Sequence, residues 1–136
     1  HNLYGFSFAE GSRIATPSIN LGPCGPFANE FYIQWNSRFI KKVKIAFIMD
    51  QLSFESQHVL IKLPNSDLFD GGNGVHDLNI YKGNSVELVV MEKYDLEVLD
   101  KYAWGLIRTY PNIINDFSIS KISALIARYL DDIYRA

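Results

Sequence analysis

Apolar residues recur at four-residue spacing through the first long regular stretch of the chain: Phe27, Phe31, Trp35, Phe39, Val43 and Phe47. That period places them on one face of a helix. Within the same stretch Phe31, Ile33 and Trp35, and again Val43, Ile45, Phe47 and Met49, alternate as a strand would. Punctuation separates the two patterns. Pro26 follows Gly25 where a first helical turn tolerates proline, because its missing amide hydrogen would be unpaired there anyway. Glu30 falls toward the positive end of the helix dipole, and Lys41 and Lys42 fall at the negative end. Beyond the lysines the run KVKIAFIMD is β-branched and aromatic, as suits a largely buried strand. The spacing therefore predicts a helix over 27–41 and a strand over 42–49, and the aromatic content assigns both to the core.

The flanking patterns are shorter. Tyr4, Phe6 and Phe8 alternate as a brief strand, and a Gly/Pro-rich loop follows over about 9–26, where Pro17, Pro23 and Pro26 each disfavour helix at the residue before them. Val59, Ile61 and Leu63 alternate up to Pro64, which suits a hairpin partner for 42–49. A turn-rich segment over 65–77 precedes two alternating runs, LNIY and VELVVMEKY, which read as a second hairpin around KGNS. From Asp95, a plausible N-cap, the period returns to that of a helix. Leu96, Leu99, Ala103, Leu106, Ile107 and Tyr110 mark a helix over 95–110 ended by Pro111. Ile119, Ile122, Leu125, Ile126, Tyr129 and Ile133 mark another over 118–134. The expected fold is α+β: a mainly antiparallel sheet of four to five strands, packed against the 27–41 helix and a C-terminal helical hairpin, in a single domain over 1–136.

Composition narrows the function classes. With 136 residues, 48% of them hydrophobic, the chain is long enough to bury a core without a disulfide or structural metal, and no cofactor is expected. A net charge of −2 argues against a general nucleic-acid binder. One cysteine and no signal-peptide pattern point to the cytoplasm, and no apolar run reaches membrane-spanning length.

Three stretches carry candidate chemistry. Cys24 sits in GPCGPF just before the helix, where unpaired amide hydrogens stabilise a thiolate. A Cys/His hydrolase would bring His58 or His76 to it, with an Asp or Asn orienting the imidazole. A lone cysteine is more often a small buried apolar residue, so sequence alone ranks catalysis low and names no catalytic residue. Residues 67–77 gather Asp67, Asp70, Asn73, His76 and Asp77. Their spacing fits neither a calcium-binding helix–loop–helix nor a zinc site nor a phosphate loop, and Asx turns at a hairpin end account for them; no metal is expected. Arg38, Lys41, Lys42 and Lys44 interleave with Trp35, Phe39 and Phe47, as in an RNA- or cap-binding surface, or simply as core aromatics beside a helix terminus.

On balance the sequence favours a small non-enzymatic binding or regulatory domain, with an inhibitor- or immunity-like profile, that acts on a protein partner. Tyr4, Phe6 and Phe8 are its expected anchors and Asp67, Asp70 and His76 its expected polar rim. An enzyme using Cys24 or the 67–77 loop ranks next, and an RNA- or cap-binding domain built on Trp35 and the basic cluster ranks third.

Overall fold

The computed structural model describes residues 2–3, 6–7, 24–81, 85–102 and 119–135. At the N-terminus β1 (Asn2–Leu3) and β2 (Phe6–Ser7) form a small antiparallel pair. The central helix α1 runs over Cys24–Arg38, so it begins and ends three residues before the predicted 27–41. The early start follows from Pro26, which sits in the first turn, where its lack of an amide hydrogen costs nothing.

The early end has a local cause as well. Lys42 Nζ donates to the carbonyls of Asn36 at 2.7 Å and Phe39 at 2.9 Å, satisfying acceptors that the helix terminus leaves open. Asn36 then ties the helix to the next strand, accepting from Val43 N at 2.9 Å and donating to Val43 O at 3.2 Å. The two lysines thus belong to the connection.

The sheet has five antiparallel strands in the order β6-β5-β4-β3-β7. Strand β3 (Lys44–Asp50) pairs with β4 (Ser56–Lys62) as the hairpin expected from the alternation. Strands β5 (Leu68–Asp70) and β6 (Gly74–His76) form a second hairpin inside the turn-rich segment. β7 (Val86–Val90) returns to the opposite edge of β3.

The predicted hairpin between LNIY and VELVVMEKY is therefore corrected. Residues Leu78–Tyr81 form one turn of 3-10 helix, and the strand partner of β7 is β3. Asp77 Oδ1 accepts from Asn79 N at 2.8 Å, an Asx turn that starts the 3-10 turn. Four residues are too few to separate a two-residue period from a three-residue one.

Helix α2 (Leu96–Tyr102) starts where Asp95 was expected to cap it: Asp95 Oδ1 accepts from Glu97 N at 2.9 Å and from Val98 N at 3.4 Å. Asp95→Ala should cost about 0.5–2 kcal/mol in a denaturant titration. Residues 103–110 of the predicted helix lie outside the described residues. Helix α3 spans Ile119–Arg135.

The main core lies between α1 and one face of the sheet. Phe27, Phe31 and Trp35 are 2%, 0% and 0% exposed, so the four-residue stripe is the buried face of the helix. They pack with Ile45, Phe47, Ile61 and Phe69 of the sheet, and Leu99 of α2 and Ile122, Ile126 and Leu130 of α3 close the same cluster. Ala46, Ile48, Leu60 and Leu68 are buried on the other face, so the sheet is apolar on both sides. Gln34 Nε2 donates to Ser123 O at 2.8 Å and joins α1 to α3. No described helix is long and apolar enough to cross a membrane.

Candidate active site

Cys24 is the first residue of α1, half-buried at the edge of the core. The first amides of a helix have no intrahelical partner, and their dipoles favour a negative charge placed there. His58 and the amides of Val59 and Gly25 are near enough to Cys24 to favour a negative charge on its sulfur. Helix α1 packs against β4, the strand that carries His58.

The placement of His58 depends on an irregularity in the ladder. Ile48 pairs with His58 but Met49 pairs with Ser56, so Gln57 is an extra residue in β4. A bulge of this kind bends the strand and re-aims the neighbouring side chain. The His58 imidazole lies between two elements, with its Nε2 2.8 Å from Asp70 Oδ2.

Asp70 ends β5, one step beyond the pair Ile61↔Phe69, which sets it beside Leu60 and diagonally across from His58. Its carboxylate is 2% exposed and closes the β5–β6 turn. Oδ1 accepts from Gly72 N at 3.0 Å and Asn73 N at 2.5 Å, and Oδ2 accepts from Asn73 Nδ2 at 3.1 Å. Gly74 follows with φ of 73°, a left-handed conformation that glycine adopts without penalty. The Asx turn therefore fixes the carboxylate that orients the imidazole.

The electrostatics of the pair agree in direction. Burial alone would push the Cys24 thiol up, but the hydrogen bond and charge of His58 and the amides of Val59 and Gly25 outweigh it and hold the thiol below its ordinary value. Burial would likewise push His58 down, yet its hydrogen bonds to Asp70 and Cys24 and the charges of both raise it from 6.5 to about 9. Both shifts favour the charged form of the group concerned, the thiolate of Cys24 and the imidazolium of His58.

The six residues expected at a protein interface are distributed differently. Asp70 and His76 are 2% and 9% exposed and hydrogen-bonded inside the fold, away from any exposed rim. Asp67 is a half-buried turn residue whose amide donates to Asn65 Oδ1 at 2.9 Å. Tyr4 and Phe8 lie outside the described residues, and of Phe6 only its place in β2 is described.

Trp35 is fully buried and donates to Lys41 O at 2.9 Å, so it presents no face to a nucleic-acid base. Lys44 pairs with Glu92. Among the described residues no three His, Cys, Asp or Glu side chains are grouped to hold a metal ion.

Sequence reasoning weighed both histidines for Cys24 and left the acid unassigned. Its usable signal was the DGGN turn directly after a short alternating pair, because an Asx-turn aspartate has a fixed carboxylate. Compared with protein families, characterised proteins and solved structures, the chain matches none.

Proposed function

We propose that the chain is a thiol-dependent acyl-transfer enzyme, a hydrolase or transferase acting on an amide, ester or thioester carbonyl. The observation that carries this reading is the buried His58–Asp70 pair, 2.8 Å apart, whose imidazole acts on the charge of Cys24 at the start of α1. Sequence alone ranks a thiol enzyme below a binding domain. The order reverses because Asp70 and His76, two of the binding candidates, are committed inside the fold and one of them orients His58.

In this reading Cys24 is the nucleophile. Its thiolate attacks the carbonyl carbon, and the negative charge moves to the carbonyl oxygen. As that intermediate collapses, His58 gives its proton to the leaving amine, alcohol or thiol, and an acyl thioester remains on Cys24. Neutral His58 then takes a proton from water or an acceptor nucleophile that attacks the thioester, and the thiolate leaves. Asp70 holds the imidazole in the working orientation and stabilises its charged form. Pro26 has no amide hydrogen, so the amides of Cys24 and Gly25 are the donors that the first helical turn offers to the oxyanion.

The test uses p-nitrophenyl acetate. The folded chain should release a burst of about one equivalent of p-nitrophenol, with a single acetyl group found by mass spectrometry on Cys24. The burst rate should follow a bell in pH. Its rising limb marks loss of the Cys24 proton, below the ordinary thiol value, and its falling limb lies near 9, where His58 gives up its proton.

The two contributions to stability have opposite pH dependence. The His58 contribution is complete below 6.5 and lost as pH rises through about 9. The Cys24 contribution is complete above the ordinary thiol value and lost as pH falls through its lowered one. No burst, together with acetylation no faster than that of a free thiol, would overturn the assignment.

A further inference from the structure

Asp70 faces two imidazoles. His58 Nε2 is 2.8 Å from Oδ2, and His76 Nε2 is 3.9 Å from the same oxygen. His76 comes from β6, and its ring is placed by two further contacts. Nδ1 lies 2.7 Å from the carbonyl oxygen of Gly74, and Nε2 lies 3.0 Å from the hydroxyl of Tyr81 in the 3-10 turn.

A carbonyl oxygen only accepts, so Nδ1 carries a proton. In the neutral ring Nε2 is then the acceptor, and the Tyr81 hydroxyl is the donor that fills it. The rings meet edge to face, with centroids 5.8 Å apart at 63°. Tyr81 is half-buried and also packs against Ala46, Ile48, Leu60 and Leu68, which fixes its position independently of His76.

Resting on the acyl-transfer reading, we propose that Tyr81 and His76 are positioning residues for the Cys24–His58 pair: the Tyr81 hydroxyl occupies His76 Nε2 and so reserves the Asp70 carboxylate for His58. The titratable groups facing His76 among the described residues are Asp70 from β5 and Tyr81 from the 3-10 turn; His58 of β4 lies across the carboxylate. Burial and the negative charge of Asp70 both push Tyr81 up, so its hydroxyl keeps its proton and remains a donor.

Without that donor the Nε2 side of His76, 3.9 Å from Asp70 Oδ2, would have that carboxylate as its hydrogen-bond partner. Two imidazoles would then compete for one carboxylate, and His58 would hold the thiolate less well. Asn73, which also donates to Oδ2 at 3.1 Å, carries no charge and does not compete in this way.

The experiment measures alkylation of Cys24 by chloroacetamide at about pH 6 and about pH 8, on either side of the imidazole range. In Tyr81→Phe the ratio of the acidic to the basic rate should fall about tenfold below the parent ratio, the change that one pKa unit produces. Tyr81→Phe combined with His76→Gln should restore the parent ratio, because the competing imidazole is gone. A lesion that was only structural would persist in the double variant, and that outcome overturns the proposal.

An unchanged ratio in Tyr81→Phe also overturns it, and it leaves the acyl-transfer reading standing if His58→Ala still slows the parent. A parent rate indifferent to His58→Ala sinks both. Nitrogen-15 shifts of His76 in the unmodified chain give a reading independent of any variant. They should place the ring proton on Nδ1 and the lone pair on Nε2, and the opposite tautomer would overturn the proposal.

Discussion

Replacing His58 by Ala should slow acylation of Cys24 on the order of 10²–10⁴-fold, the range that a positioned general acid–base contributes. The loss has two sources. His58 supplies the leading interactions that hold the thiol below its ordinary value, namely a hydrogen bond and a positive charge. Without them burial, which pushes the thiol up, is opposed only by the amides of Val59 and Gly25.

The second source is proton delivery to the leaving group, which nothing else in the Cys24–His58–Asp70 series replaces. Burst kinetics at neutral pH read both losses together. Alkylation by chloroacetamide, whose chloride leaving group needs no proton, reads the first alone. The variant should keep the parent fold, because His58 sits at an edge of the core and the Asx turn of Asp70 closes through Gly72 and Asn73 without it. A variant acylated at the parent rate would remove His58 from the mechanism.

Trp35→Ala should lower stability by about 3–5 kcal/mol, read as a shift in the denaturant midpoint. Trp35 is fully buried in the last turn of α1, between Phe31 at 5.8 Å and Phe39 at 4.6 Å, centroid to centroid. Truncation would leave a cavity the neighbours fill only in part, and it would remove the indole donor to Lys41 O. Midpoint and slope should both be recorded, since a changed slope would mean that the cooperativity of unfolding had changed too. A shift under about 0.5 kcal/mol would place Trp35 outside the core.

Periodicity made the scaffold legible where the same spacing linked three or more apolar residues. The stripe Phe27, Phe31, Trp35 and the alternation Val59, Ile61, Leu63 both lie in the core as their spacing implies. It failed at LNIY, where four residues carry no decisive period and an Asx turn at Asp77 selected the 3-10 geometry. The site was legible only in pieces.

Cys24 before a helix, two histidines and an aspartate-rich turn were each visible, but their convergence depends on the β4 bulge at Gln57 and on the diagonal from β4 to β5. Neither has a signature in residue type. The burial of Asp70 and His76, which the sequence reading places at a polar rim, has a related cause. Asp70 and His76 are buried because each has hydrogen-bond partners inside the fold, and hydropathy does not encode partners.

The hairpin that carries Asp70 is built from two three-residue strands, and β6 is the outer edge of the sheet. One carboxylate therefore performs two tasks: it closes that hairpin and anchors the imidazole. Short edge strands open by local fluctuation at a smaller free-energy cost than global unfolding. Each such opening would release Gly72 and Asn73 to exchange with solvent and would at the same moment strip His58 of its counter-ion. The fraction of molecules competent to react is thus tied to how often this one margin of the sheet frays, and heat would silence the site before the core around Phe31 and Phe47 gives way.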